Sequence, residues 1–250
     1  MRATVVTGSA SGIGAAVRRR LEAAGERVIG VDLHDADVVA DLASMEGRAR
    51  ALAALSAEPL DGLVACAGIG PQAEPVAAIV SLNYFGAWRI LDGLAPALAS
   101  GTRPAAVAVA SNSAVLPGVD DALVAACLDG DEDEARRLAI AGGGHAAYAG
   151  AKRALLRRIR RDAPAWAARG IRLNAVAPGP VMTPLLRGGL EHPVYGPAIR
   201  GFPVPAGRFG TPDEIAATIA FLLGPEAAFC CGAVLFVDGG TDALLRPDAF

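Results

Sequence analysis

The stretch Ala-Thr-Val-Val-Thr-Gly-Ser-Ala-Ser-Gly-Ile-Gly at residues 3–14 decides the fold of this 250-residue chain. It begins as an apolar run typical of a buried strand and stops at a glycine-rich turn, after which a helix is predicted over about residues 13–24. Gly8 and Gly12 remove side chains where the backbone must approach a ligand, and Gly14 lets the helix pack closely on the strand. Because the amino end of a helix attracts negative charge, this turn is predicted to cradle a phosphate.

The residues that follow favour a dinucleotide over a simple phosphate. A second strand is predicted at 27–31, and it is followed directly by Asp32. A carboxylate at the carboxyl end of that strand can accept hydrogen bonds from both hydroxyls of an adenosine ribose. It would repel a 2′-phosphate, and neither Leu33 nor His34 offers a permanent cation to hold one. The sequence therefore predicts NAD as the cofactor, with an ordinary turn aspartate as the alternative for Asp32.

Apolar, strand-like runs alternate with helical patterns along the whole chain. Strands are predicted at 3–7, 27–31, 61–66, 104–110, 171–177 and 233–237, and helices at 13–24, 44–56, 76–99, 146–169 and 212–223. This alternation is typical of a doubly wound parallel sheet with helices on both faces. We therefore predict an α/β protein with a Rossmann fold in three α/β/α layers.

Composition narrows the classes of function. With 53% hydrophobic residues, the chain can bury the core of one domain spanning residues 1–250. A net charge of −3 gives no basic footprint for nucleic acid, and no apolar run approaches membrane-spanning length. We expect a cytoplasmic protein that binds neither nucleic acid nor a membrane. Cys66, Cys127, Cys230 and Cys231 lack metal-ligand spacing, so we expect apolar fillers and no metal.

Two further segments are candidates for the walls of the dinucleotide site. Asp41, followed by Leu42, lies where a second acid can reach the edge of an adenine, although an aspartate before a helix is as often an N-cap. The third predicted strand ends in Cys66, Ala67 and Gly68. Their small side chains leave room for a ligand to cross the edge of the sheet.

The candidate catalytic groups are a serine after a strand and a tyrosine–lysine pair on a helix. Tyr148 and Lys152 are four residues apart and share one helix face. A nearby ammonium together with an oxidised nicotinamide cation would lower the pKa of the phenol, ordinarily about 10, toward the range needed for acid–base chemistry at neutral pH. Ser111 follows the fourth predicted strand and can hold a substrate oxygen, with Ser113 as an open alternative. Asn83 is either a structural amide or the holder of a relay water.

Together these motifs resemble the short-chain dehydrogenase/reductase family across nearly the whole chain. They are Thr-Gly-x-x-x-Gly-Ile-Gly at 7–14, Asp32, Asn83, Ser111, Tyr148-x-x-x-Lys152 and Asn174-x-x-x-Pro178-Gly179. Shorter runs, such as Gly-x-Gly-Pro-Gln at 68–72 and Asn-Tyr-Phe-Gly at 83–86, resemble its bacterial 3α-hydroxysteroid dehydrogenase/carbonyl reductase group.

The resemblance implies an NAD(H)-dependent enzyme that interconverts a secondary alcohol and a ketone, with a hydroxysteroid or another bulky hydrophobic compound as substrate. It makes Tyr148 the acid/base, Lys152 the group that lowers its pKa and binds the nicotinamide ribose, and Ser111 the group that orients the substrate. Asn83 would position a relay water, and the protein would form a homodimer or homotetramer. The residues assigned to cofactor binding are Gly8, Ser11, Gly12, Ile13, Gly14, Asp32, Asp41, Leu42, Cys66, Ala67, Gly68, Tyr148, Lys152, Pro178, Gly179, Val181 and Thr183.

Three features depart from the family's pattern or extend it. Cys66 stands where most of the family has asparagine. Residues 120–144 are predicted to form a helical insertion with a glycine hinge at 142–144, which shapes either the substrate mouth or an interface. Residues 180–210 are rich in Pro and Gly yet carry apolar side chains, so we predict a loop that serves as a lid over a hydrophobic substrate. A structural excursion is the alternative for this segment.

Two other functions compete with this interpretation. A non-catalytic NAD-sensing or scaffold protein can share the fold, because a fold does not determine a function. The intact Ser111, Tyr148 and Lys152 weigh against it. A sugar-nucleotide epimerase or dehydratase also uses a Tyr-x-x-x-Lys pair, but the glycine spacing and the absence of an added sugar domain argue against that class.

Overall fold

The computed structural model describes residues 1–249. A seven-stranded parallel sheet lies at its centre, and the helices pack on the two faces of this sheet. Its strands are β1 (Ala3–Thr7), β2 (Arg27–Asp32), β3 (Val38–Val39), β4 (Gly62–Ala65), β5 (Ala105–Val109), β6 (Arg172–Pro178) and β7 (Val234–Val237). The strand order is β3-β2-β1-β4-β5-β6-β7, and all pairs are parallel. Successive strands are thus added on one side of β1 as far as β3 and on its other side from β4 onward, so the strand order reverses between β1 and β4.

Ten α-helices surround the sheet in the described part of the chain. They are α1 (Gly12–Ala23), α2 (Met45–Leu55), α3 (Ala77–Val80), α4 (Ala87–Ala99), α5 (Asp121–Asp129), α6 (Glu132–Ala167), α7 (Pro184–Glu191), α8 (Tyr195–Arg200), α9 (Pro212–Leu223) and α10 (Thr241–Leu245). A π-helical turn, Ser81–Gly86, joins α3 to α4, and a 3₁₀ turn, Asn112–Val115, follows β5.

The strands are apolar throughout because both faces of the sheet are covered. Val5 and Leu63 belong to a buried cluster formed with α2 to α6, whereas their neighbours Val6 and Val64 belong to a second cluster formed with α1 and α9. Successive strand residues face opposite sides of a sheet, so adjacent valines and leucines serve two cores. The predicted doubly wound, three-layer fold is confirmed.

The structure differs from the predicted elements in the segment 180–210. Instead of a loop, this segment contains α7 and α8, which the abundance of glycine and proline concealed. Thr183 caps α7 by accepting from the N–H of Leu186 at 3.2 Å. A Cβ on Gly189 would lie 2.8 Å from the side chain of Ile199, so this glycine serves close packing of the two helices.

Other differences are smaller. The strand β3 has only two residues, too few for a periodic signal. The helical backbone runs from Glu132 to Ala167 and is interrupted at Gly143, whose φ of 77° and ψ of 174° place the break within the predicted hinge at 142–144.

The cysteines do not share one environment. Cys127 is buried as expected of an apolar filler, whereas Cys231 is exposed, so that interpretation is wrong for Cys231. Among residues 1–249, no three His, Cys, Asp or Glu side chains are grouped so that they could hold a metal ion. The same residues include no helix long and apolar enough to cross a bilayer.

Gly14→Ala tests the turn that starts the fold. The added Cβ would collide with the backbone carbonyl of Gly8. The backbone of the turn would have to shift to relieve this contact, because no flexible side chain is involved. We expect the free energy of unfolding to fall by about 1–3 kcal/mol in urea denaturation. Gly201→Ala is the matched control, because its Cβ would meet only the Pro197 carbonyl at 3.5 Å. Equal losses in the two variants would contradict this account of the turn.

Candidate active site

A cleft opens at the carboxyl ends of the strands, where the direction of the strand order reverses. The turn between β1 and α1 forms one end of it. Gly8 and Gly12 in this turn have positive φ values of 70° and 53°, and a Cβ on Gly8 would lie 2.9 Å from the backbone of Ala67. Glycine is therefore required both by the backbone conformation and by the close approach of β4.

Every residue predicted to bind a cofactor lines this cleft. The set comprises Gly8, Ser11, Gly12, Ile13, Gly14, Asp32, Asp41, Leu42, Cys66, Ala67, Gly68, Tyr148, Lys152, Pro178, Gly179, Val181 and Thr183. Burial raises the pKa of the Cys66 thiol to about 12, so it lines the cleft as an unreactive, protonated side chain. The segments that carry this set come from six different parts of the chain, and the sheet brings them to one edge.

The acids at one end of the cleft are held by backbone N–H groups. The carboxylate of Asp32 accepts from Ala10 at 2.9 Å and from Leu33 at 2.7 Å. Asp41 accepts from the N–H of Ala43 at 2.9 Å, in a turn before α2. The N-cap of α2 is Ser44, so the N-cap alternative for Asp41 is wrong.

At the other end of the cleft, Ser111, Tyr148 and Lys152 come together. The Ser111 hydroxyl accepts from the N–H of Ser113 at 3.2 Å and from its hydroxyl at 3.0 Å. The ammonium of Lys152 is buried, donates to the carbonyl of Val109 at 2.9 Å, and lies 5.9 Å from the centre of the Tyr148 ring. Both serines line the cleft, and Ser113 lies beside Ser111 as its hydrogen-bond partner.

Burial controls the ionisation of this pair. It raises the pKa of Tyr148, and the Ser111 side chain opposes the shift. Burial also lowers the pKa of Lys152 to about 8. Desolvation disfavours the phenolate more than the protein groups around it favour it, which accounts for this direction. The lowered pKa predicted from the sequence also required the positive charge of an oxidised nicotinamide, and it stays a prediction for the enzyme with bound NAD.

Asn83 does not line the cleft. It is fully buried in the π-helical turn, where its amide oxygen accepts from the N–H of Ile69 and its amide nitrogen donates to the Ile69 carbonyl, both at 2.9 Å. The Asn83 amide thus fixes the backbone of Ile69, directly after Gly68. This agrees with the alternative that Asn83 is a structural amide. A part in a proton relay stays a prediction.

The cleft extends beyond Tyr148 along side chains of two kinds. Leu186, Tyr195 and Phe202 belong to the apolar residues of the segment 180–210, which the sequence predicted to cover the substrate, whereas Leu116, His145 and Ile199 were not assigned a role from the sequence. His145 precedes Tyr148 by three residues and so lies on the same helix face, a spacing that identifies it once the cleft is known. Among the described residues 120–144, none lines the cleft, so this segment does not form the substrate mouth.

A glycine turn at one end of the crevice of a parallel sheet, with a serine, a tyrosine and a lysine at the other end, defines a dinucleotide-dependent oxidoreductase. Comparison with known proteins narrows this class. Residues 2–123 match the family model described as short chain dehydrogenase, and residues 135–242 match the model described as Enoyl-(Acyl carrier protein) reductase. The chain belongs to the short-chain dehydrogenase/reductase family, as the motifs predicted.

Full-length relatives agree with this assignment. The chain is 45% identical to the 3-alpha-hydroxysteroid dehydrogenase/carbonyl reductase of Comamonas testosteroni over 100% of both chains. It is 35% identical to the cis-4-hydroxycyclohexanecarboxylate dehydrogenase of Sinomonas cyclohexanicum over 97% of each. The crystal structure of the 3-alpha-hydroxysteroid dehydrogenase from Pseudomonas sp. B-0831 complexed with NADH superimposes with a TM-score of 0.97 at 50% identity, covering 99% of this chain and 100% of that one.

The ionisation of Lys152 can be followed directly, because it is the only lysine in the sequence. With ¹⁵N introduced at Nζ, its single NMR signal should titrate with a pKa of about 8 in the folded protein and near 10.5 in urea. The folded state binds this proton less tightly than the unfolded chain, so the free energy of unfolding should rise as the pH rises from about 8 to about 10.5. A folded-state titration near 10.5 would refute the desolvation of this ammonium.

Proposed function

We propose that this enzyme interconverts a secondary alcohol and a ketone with NAD(H), and that its substrate is a bulky hydrophobic ring alcohol, a hydroxysteroid being the first candidate. One observation carries the proposal: Ser111, Tyr148 and Lys152 meet in the same cleft as the glycine turn and Asp32. A dinucleotide that extends from the turn to Tyr148 would present its nicotinamide to a substrate held there.

The chain's residues fit such a cofactor. Gly8 and Gly12 line the cleft without side chains and with positive φ values, so their backbone can approach a pyrophosphate at the amino end of α1. The carboxylate of Asp32 lies where it can bind the hydroxyls of the adenosine ribose. Pro178, Gly179, Val181 and Thr183 would hold the nicotinamide end.

The charges near Asp32 favour NAD over NADP. Arg18 on α1 pairs with Glu22 at 2.8 Å and with Asp37 at 3.0 Å. Its charge is thus already matched by two carboxylates, and it is poorly placed to offset the repulsion between Asp32 and a 2′-phosphate. The solved relative that resembles this chain at 50% identity is complexed with NADH.

The proposed mechanism gives separate roles to Ser111 and Tyr148. Ser111 is held by the hydrogen bonds that it accepts from Ser113, and its hydroxyl, which also forms a hydrogen bond that lowers the pKa of Tyr148, would donate to the substrate oxygen once a substrate is bound. Tyr148, as the phenolate, removes the hydroxyl proton of the alcohol, and a C–H bond breaks as the carbonyl forms. Bound NAD supplies the hydride acceptor. In the reverse direction the phenol of Tyr148 donates its proton to the ketone oxygen.

The substrate end of the cleft is apolar. Leu116, Leu186, Ile199 and Phe202 line it, and such a lining suits a hydrophobic ring. Both relatives of this chain are named for alcohols carried on saturated rings. We propose residues 180–210 as the lid, joined to the opposite wall by the bond from the Gln72 amide to the Leu185 carbonyl at 3.2 Å.

The expectations about domain organisation, cellular location and assembly rest on the sequence and on the family, not on the geometry of the cleft. We propose one cytoplasmic domain over residues 1–250, with 120–144 as an insertion, that assembles as a homodimer or homotetramer. The non-catalytic alternative has no observation in its favour, since all three reacting side chains are present and meet in the cleft.

Tyr148→Phe should lower kcat by at least about 100-fold while leaving NADH binding intact, because the phenyl ring keeps its shape but cannot exchange a proton. The assay is NADH formation from a panel of steroid and simple ring alcohols. Tyr84→Phe is the control, since it removes the same hydroxyl from a buried tyrosine outside the cleft. Undiminished turnover in Tyr148→Phe would overturn the assignment of the acid/base.

Asp32→Asn should weaken NAD binding about tenfold, because the ribose loses a charged acceptor, and should raise the relative use of NADP by removing the repulsion. The measurement is kcat/KM for the two cofactors. Asp35→Asn is a matched control, because Asp35 is exposed and pairs only with His34 at 3.5 Å. A cofactor ratio that moves equally in both variants would count against a specific role for Asp32.

A further inference from the structure

Arg48 in α2 is a buried arginine that connects three separate segments of the chain and has no role in the proposed mechanism. Only 5% of its surface is exposed. Its guanidinium donates to the carbonyls of Leu42 at 2.8 Å, Ala43 at 2.9 Å and Ser81 at 3.0 Å. It also forms a two-pronged pair with the carboxylate of Glu132, at 2.6 and 2.7 Å.

The pair with Glu132 fixes the orientation of the guanidinium. A planar fork that meets a carboxylate through two parallel bonds has little rotational freedom. Burial would raise the pKa of Glu132, but the bonds from Arg48 hold it below its usual value, so the pair stays charged. The Nε–H group is thereby aimed at the Leu42 carbonyl, and the remaining N–H of Nη2 is shared between the carbonyls of Ala43 and Ser81.

One of those carbonyls belongs to the wall of the cleft at the Asp32 end, and a second belongs to the residue that follows it. Leu42 lines the cleft beside Asp41, and Ala43 donates its N–H to the Asp41 carboxylate at 2.9 Å. Glu132 is the first residue of α6 and lies 84 residues from Arg48 in sequence. The segment 120–144 does not line the cleft itself, but through Arg48 it is joined to this wall.

We propose that Glu132 is a positioning residue for the adenosine half of the cofactor, acting through Arg48 on the backbone of residues 41–43. The inference rests on the proposed binding of NAD(H). Without the carboxylate, a buried cation would lose its partner and its fixed orientation, and the wall would lose its aligned donors. The reacting groups Ser111, Tyr148 and Lys152 lie at the opposite end and keep their contacts.

The test is the affinity for ADP-ribose, which contains the adenosine half without the nicotinamide, measured by calorimetry. Glu132→Gln should raise its dissociation constant about tenfold, while kcat at saturating NAD stays within about twofold of wild type. Arg48→Lys keeps the charge but loses the planar fork, and it should weaken ADP-ribose binding in the same way. If Glu132→Gln does not fold, Arg48→Lys carries the test.

Glu134→Gln is the matched control. It removes a carboxylate from the same helical turn, but one whose bonds to Arg137, at 2.7 and 2.6 Å, lie on the surface away from the wall. Unchanged ADP-ribose affinity in Arg48→Lys would overturn the inference, as would a parallel fall of kcat and affinity, which indicates general structural damage. Wild-type protein that fails to bind ADP-ribose would instead refute the dinucleotide site itself.

Discussion

The Thr7 hydroxyl accepts hydrogen bonds from the backbone N–H groups of Cys66 and Ala67, each at 3.0 Å. The ladder between β1 and β4 ends before these residues, at Val6 and Val64, so the two N–H groups would otherwise be left without partners in the sheet. One side chain therefore continues the pairing of two strands past their ends. The crevice depends on this contact, because it holds the glycine turn against the end of β4.

Everything at the reactive end of the cleft depends on burial. Lys152 is desolvated and held by the carbonyl of Val109, at the end of the neighbouring strand β5. The same exclusion of water raises the pKa of Tyr148. An environment that disfavours both charges is suited to a proton that moves between a phenol and a substrate, since water does not compete for the hydrogen bonds involved.

The two ends of the cleft are built by different means. The reactive end is carried by α6 and the turn after β5, whereas the end near Asp32 is shaped by short turns whose backbone needs external partners. Arg48 supplies those partners to residues 42 and 43, and Glu132 holds Arg48 in place. The start of α6 thus contributes to the Asp32 end of the cleft, while the later part of the same helix carries Tyr148 and Lys152 at the reactive end.

Local patterns in the sequence were enough to predict six of the seven strands and the main helices between them, the glycine turn and the spacing of Tyr148 and Lys152. Each of these is encoded by residues close together in the chain, through apolar periodicity or a motif of fixed spacing. The helices α7 and α8 were missed because their glycines serve close packing between helices, which composition alone presents as a loop. Asn83 was found, but its bonds to Ile69 became visible only with the fold.

Tertiary structure alone decided which groups are desolvated and which distant residues meet. The direction of the pKa shift of Tyr148 depends on how much water the surrounding elements exclude, and no spacing between residues encodes that quantity. The pairing of Arg48 with Glu132 joins positions 84 residues apart, and it exists because the sheet brings α2 beside the start of α6. Sequence by itself determined the elements and the chemistry they carry, and packing decided the charges and contacts that surround that chemistry.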